Sequence, residues 1–185
     1  MSIRTTAEFE DIMQPIIVSA LGWTGDDIEN VRIGWPIDGA PGWGIDENII
    51  FITATPVDHL INRQHDVLIE NSSPDLVATH SLTRVMVVNF VAYGPEATLN
   101  LEKIHLAMFY DSVRFSLKDE EIYFVPDNPS ARRLPERFQA RWWNRADMQL
   151  RFNEKLTDEE NINAIDSVDV SIDQENDSLT EFTVN

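Results

Sequence analysis

Apolar positions three and four residues apart open the chain. Phe9, Ile12, Met13, Ile16, Ile17, Ala20 and Leu21 form one stripe. Before them, Thr5-Thr6-Ala7-Glu8 is a capping box in which the glutamate reaches back to the Thr5 amide. The pattern predicts a helix over 5–21 with one core-facing side. Pro15 removes the bond to the Asp11 carbonyl, so a kink or restart is expected there, and Gly22 closes the helix. Residues 31–35 read as a short strand. Pro36 to Asp46 form a turn-rich loop carrying Trp43. Asn48 to Thr55 are β-branched and read as a strand halted by Pro56. Residues 57–79 lack a sustained period and read as an excursion from the sheet or a hairpin.

Ser81 to Tyr93 predict a long strand with Leu82, Arg84, Met86, Val88, Phe90 and Ala92 on one face and Val85, Val87 and Val91 on the other. Gly94-Pro95 then open a second helix, with Pro95 at the first helical position. Its inward stripe is Leu101, Ile104, Met108 and Phe109, and it runs to about Phe115. A short strand is expected at 121–125 and a connection at 126–139. The cleanest alternation runs from Arg145 to Leu156: Ala146, Met148, Leu150 and Phe152 point one way, Asp147, Gln149, Arg151 and Asn153 the other. Val168, Val170 and Ile172 repeat it and imply a final antiparallel partner. The fold class is therefore α+β: a single domain over 1–173, mostly antiparallel sheet, with two amphipathic helices on one face and an acidic tail over 174–185.

Composition supports one core. The chain has 185 residues, 43% of them hydrophobic, which suits one domain and excludes wholesale disorder. It has no cysteine, so disulfide scaffolds, zinc ribbons and thiol nucleophiles are excluded. With no apolar run near about 18 residues and no signal-peptide start, a soluble, non-exported chain is expected. The net charge of −18 repels phosphate backbones and anionic membranes, which argues against sequence-reading nucleic-acid binding. That charge is uneven. From Glu154 onward ten carboxylates face Lys155 alone, whereas six of the eleven arginines lie between Arg132 and Arg151. These segments either neutralise each other within one chain or meet between copies.

Catalytic signatures are missing. His59, His65, His80 and His105 have no metal-binding spacing, and there is no phosphate loop, dinucleotide fingerprint or nucleophile elbow. Acid pairs such as Glu159-Glu160 read as solvated charge, so neither a cofactor nor a metal is expected. The unusual feature is aromatic placement. Trp35, Trp43, Trp142 and Trp143 lie at strand ends or in loops. Adjacent tryptophans on a strand point to opposite faces, so one of Trp142 and Trp143 needs cover from elsewhere. Arginine beside tryptophan is the composition of interface hot spots, which makes Trp35, Trp43, Arg141, Trp142, Trp143, Arg145 and Arg151 the interface candidates.

Several of these stretches carry a resemblance. Trp35-Pro36, Gly42-Trp43-Gly44, the strand entered by Arg84, and Tyr93-Gly94 belong to it. So does Arg141-Trp142-Trp143-Asn144-Arg145-Ala146-Asp147, running into Arg151-Phe152-Asn153 and then Ser167-Val168-Asp169-Val170. Together they resemble the neck or tail-terminator proteins of tailed bacteriophages, over roughly residues 5–173 with 57–79 set aside. The resemblance implies a structural virion protein, not an enzyme, assembled in the host cytoplasm as a homo-hexameric ring on the end of the tail tube. Such a ring stops tube growth, meets tube protein, and sheath where the tail has one, and offers its upper face to a head-side connector or stopper. DNA passes through without sequence-specific binding. The acidic surplus then suits the bore, and Asp158, Glu159, Glu160, Asp173, Glu175 and Asp177 are the channel-lining candidates. Rival readings are a head-closure or connector subunit, an enzyme with a pocket under the 36–46 loop, and a generic acidic adaptor with no viral role.

Overall fold

Two long strands organise the molecule. The computed structural model describes residues 4–34, 42–72, 75–126, 130–138, 140–162, 168–172 and 180–184. Strands β4 (Asp75–Tyr93) and β9 (Arg145–Ile162) pair antiparallel along their whole length, from Leu76 opposite Ile162 to Tyr93 opposite Arg145. Along the far edge of β4 lie β2 (Ile49–Pro56), opposite Met86 to Tyr93, and β3 (His65–Ser72), opposite Asp75 to Leu82. Strand β1 (Val31–Ile33) pairs with β2 in parallel, the one such pair among the described residues. Strands β5 (Ile122–Val125) and β6 (Arg132–Arg133) line the outer edge of β9. The sheet is thus mostly antiparallel, in the order β1-β2-β4-β9-β5. Of the two readings of 57–79, the hairpin is the one found: β3 pairs back along β4 and widens the sheet, and β4 begins six residues earlier than the alternation indicated.

The expected strand faces hold. Met86, Val88, Phe90 and Ala92 of β4 and Ala146, Met148, Leu150 and Phe152 of β9 are buried beneath the helices. Helix α1 (Thr6–Leu21) has the capping box, ends at a left-handed Gly22 with φ 68°, and runs through Pro15 without restarting. It buries Phe9, Met13, Ile16, Ile17 and Val18. The expected second helix is two: α2 (Ala97–Ala107) and α3 (Asp111–Asp119). Tyr110 is extended between them (φ −74°, ψ 138°), so the stripe is rotated at the break. Met108 is buried as expected, but Phe109 turns outward and is 49% exposed. Pro95 precedes α2 and is not its first residue. Gly94 (φ 108°) is required at the strand-to-helix corner, because a Cβ there would lie 2.6 Å from Asn48 Oδ1.

The covered core ends at one buried charge. Glu154, fully buried, accepts from Arg84 Nε at 2.8 Å and contacts its Nη2 at 2.6 Å; Arg4 reaches the other oxygen at 3.3 Å. Arg84 also donates to the Arg4 carbonyl, and Arg4 to the Glu120 carbonyl, so this carboxylate ties the N-terminal segment and the α3–β5 turn to mid-sheet. Past it, only β3 flanks the continuing ladder, forming a three-stranded arm (65–82 and 155–162). Ala78 is the arm's one buried hydrophobic among the described residues, whereas Val67, Leu68, Ile69 and Leu82 are exposed. Among the described residues the final strands, β10 (Val168–Ile172) and β11 (Thr180–Val184), pair only with each other. The antiparallel partner of 168–172 is therefore the tail, not the main sheet.

Candidate assembly surfaces

The face opposite the helices carries a second apolar cluster at the Tyr93 end. Ile49, Phe51, Val91 and Tyr93 are buried there under Trp43 and Trp143. Trp143 belongs to a small hairpin of β7 (Glu136–Phe138) and β8 (Arg141–Trp143), turned at Ala140 with φ 64°. Ring centroids lie 5.2 Å apart for Trp43 and Phe51, 5.5 Å for Trp43 and Tyr93, and 6.3 Å for Trp43 and Trp143. A polar clasp fixes the hairpin. Tyr93 Oη donates to Glu136 at 3.0 Å, and Arg145 donates twice to Asp147 at 2.8 Å and once to Glu136 at 3.2 Å. Burial, and then the bond to Glu136, push the Tyr93 hydroxyl up to about 12. Bonding to Asp147 holds the Arg145 guanidinium firmly charged, its pKa raised further.

The tryptophan pair divides as strand geometry demands. Trp143 turns inward, and Trp142 is 67% exposed. Beside Trp142, Arg137, Arg141 and Phe138 are also exposed, and neither arginine has an ion-pair partner among the described residues. The interface candidates therefore separate. Trp43, Trp143 and Arg145 build the clasp, Arg141 and Trp142 stand on its outer surface, and Arg151 is half-buried farther along β9. Trp35 lies outside the described residues.

Of the channel-lining candidates, Asp158, Glu159 and Glu160 lie on the arm, while Asp173, Glu175 and Asp177 lie outside the described residues. Register places Asp158 (opposite His80) and Glu160 (opposite Ala78) on the same side as the helices; Glu159 (opposite Thr79) is on the other. His80 stacks on His65 at 5.2 Å and lies 3.4 Å from Glu160. Among the described residues no group of three His, Cys, Asp or Glu could hold a metal ion, and no helix is long and apolar enough to cross a membrane.

One surface escaped sequence reasoning. A groove of about 590 Å³ lies between α3 and β5, lined by Phe109, Phe115, Tyr123 and Phe124 with Arg114 and Lys118. The signal was available: Phe115 breaks the spacing of Val113 and Leu117, the buried residues of α3. Without the break at Tyr110, however, it could not be placed.

This is an α+β domain whose exposed aromatics mostly fall on two surfaces: Phe138 and Trp142 with Arg137 and Arg141 on the hairpin, and Phe109, Phe115 and Tyr123 along the α3–β5 groove. The chain matches the family described as phage neck terminator protein over residues 7–177 and belongs to that family. It is a structural component of the phage neck, which meets other tail and head components of the virion. No curated protein matches it.

Proposed function

We propose that the protein closes the phage tail tube as a homo-hexameric ring and joins it to the head-side connector, acting by fit and not by catalysis. The observation that carries this reading is the exposed Trp142, set among Arg137, Arg141 and Phe138 on a hairpin clamped to the sheet by Tyr93, Glu136 and Arg145. A rigidly mounted aromatic with uncompensated cations is the make-up of a hot spot awaiting a partner. The partner surfaces are tube protein, with sheath where the tail has one, and the connector or stopper. A head-to-tail interface joins two different patches of each copy, and a chain with separate basic and acidic segments carries both. Part of the acidic surplus between Asp158 and Asp177 lines the bore, where repulsion keeps passing DNA from sticking.

Electron microscopy of tails made without this protein tests the role. Overlong or headless tails are expected; normal, head-bearing and infectious particles would overturn it. Pull-down with purified tube protein separates a tube-capping ring from a head-closure subunit, since only the former binds the tube end.

A further inference from the structure

We infer that the arm of one copy seats in the groove between α3 and β5 of the next, making this pair of surfaces the ring's repeating contact. The inference rests on the proposed ring and names the surfaces that close it.

The helix-side face of the arm continues the plane of the buried core without the helices. It presents Val67 and Ile69 from β3 and Leu82 from β4, all exposed, with Asp158 and Glu160 from β9 alongside. Apolar residues that follow the core periodicity yet face solvent mark a surface awaiting cover. The groove offers the complementary chemistry. Phe109 and Phe115 are exposed at its rim, and Arg114 and Lys118, one helical turn apart on α3, have no ion-pair partner among the described residues. Apolar meets aromatic, and carboxylate meets cation. A second copy is the occupant because the two surfaces sit on opposite margins of one sheet, β3 on the outer side of β4 and β5 on the outer side of β9. A contact between unlike margins leaves a free margin at each end and propagates until it closes as a ring. Alternation along β9 also divides the acidic residues: Asp158 and Glu160 face the neighbour, which leaves Glu159 for the bore.

The chain has no cysteine, so a disulfide reports one contact cleanly. Particles are assembled with Ile69→Cys/Phe115→Cys and oxidised. A ladder of disulfide-linked copies up to the full ring is expected, and a mixture of the two single variants should stop at dimers. Rings visible on tail ends without cross-links would overturn the contact and leave the ring standing; absence of any ring with the wild-type chain would overturn both. Charge exchange gives an independent reading. Arg114→Glu/Lys118→Glu should abolish the ring, and adding Asp158→Lys/Glu160→Lys to the same chain should restore it. A ring indifferent to the first pair would mean that the arm seats on another neck protein, and would refute the proposal.

Discussion

Replacing Glu154 by leucine tests what ties the N-terminal segment and the α3–β5 turn to mid-sheet. The substitution removes the carboxylate at the centre of the Arg84–Arg4 network and leaves Arg84 mid-sheet without its counter-ion. Breaking a buried pair from one side costs about 3–5 kcal/mol. The lower end applies here, because the Arg84 and Arg4 side chains keep 18% and 23% exposure and can turn part of their charge to water. A loss of about 3 kcal/mol shifts the folding equilibrium roughly 150-fold and lowers Tm by about 6–12 °C in a chain of this size. Urea unfolding followed by tryptophan fluorescence measures it. The decisive variant is Glu154→Leu/Arg84→Met. Removing both charges leaves no stranded cation, so at least about 1.5 kcal/mol should return, although Arg4 then keeps only its contacts to Glu120. A double variant as unstable as the single, or a single variant losing under about 1 kcal/mol, would refute the account.

The tryptophan pair should separate stability from assembly: Trp143→Ala costs about 3 kcal/mol of folding stability, whereas Trp142→Ala stays within about 0.5 kcal/mol in the same unfolding assay but fails to cap tails by microscopy. The Tyr93 hydroxyl is held neutral in the folded chain to about 12, against an ordinary 10. Its contribution is therefore complete below pH 10 and disappears as pH rises toward 12, read as a change in Trp43 and Trp143 fluorescence that Tyr93→Phe should remove from that window. Glu159→Lys should slow genome ejection while rings still form, and unchanged ejection kinetics would argue against an acidic bore.

Where burial is one-sided, the chain declared its structure. The stripe of α1 and the alternation of β9 were legible because each element packs one face on the core and turns the other away, and β4 was legible as a long β-branched run covered on both faces toward Tyr93. The arm and the small hairpin were not, for a matching reason. Arg132–Arg133 and Glu136–Phe138 are exposed throughout, and Val67-Leu68-Ile69 is uncovered on both sides, so no period could form. The break at Tyr110 turns on backbone dihedrals that apolar spacing does not encode, and it reversed the expected burial of Phe109. At the candidate surfaces, residue types were readable but allegiance was not. Arg145 looked free for a partner, yet Asp147 takes it with two bonds and Glu136, across the hairpin turn, with a third.

The uninterrupted pairing of β4 with β9 has a mechanical consequence. At about 3.4 Å per residue the ladder is a beam of roughly 60 Å, and its hydrogen bonds pass from body to arm with no flexible joint. The tip is thus aimed before it meets anything. Little motional freedom remains to be frozen when it docks, and load applied at the tip tilts the whole subunit instead of folding the arm aside.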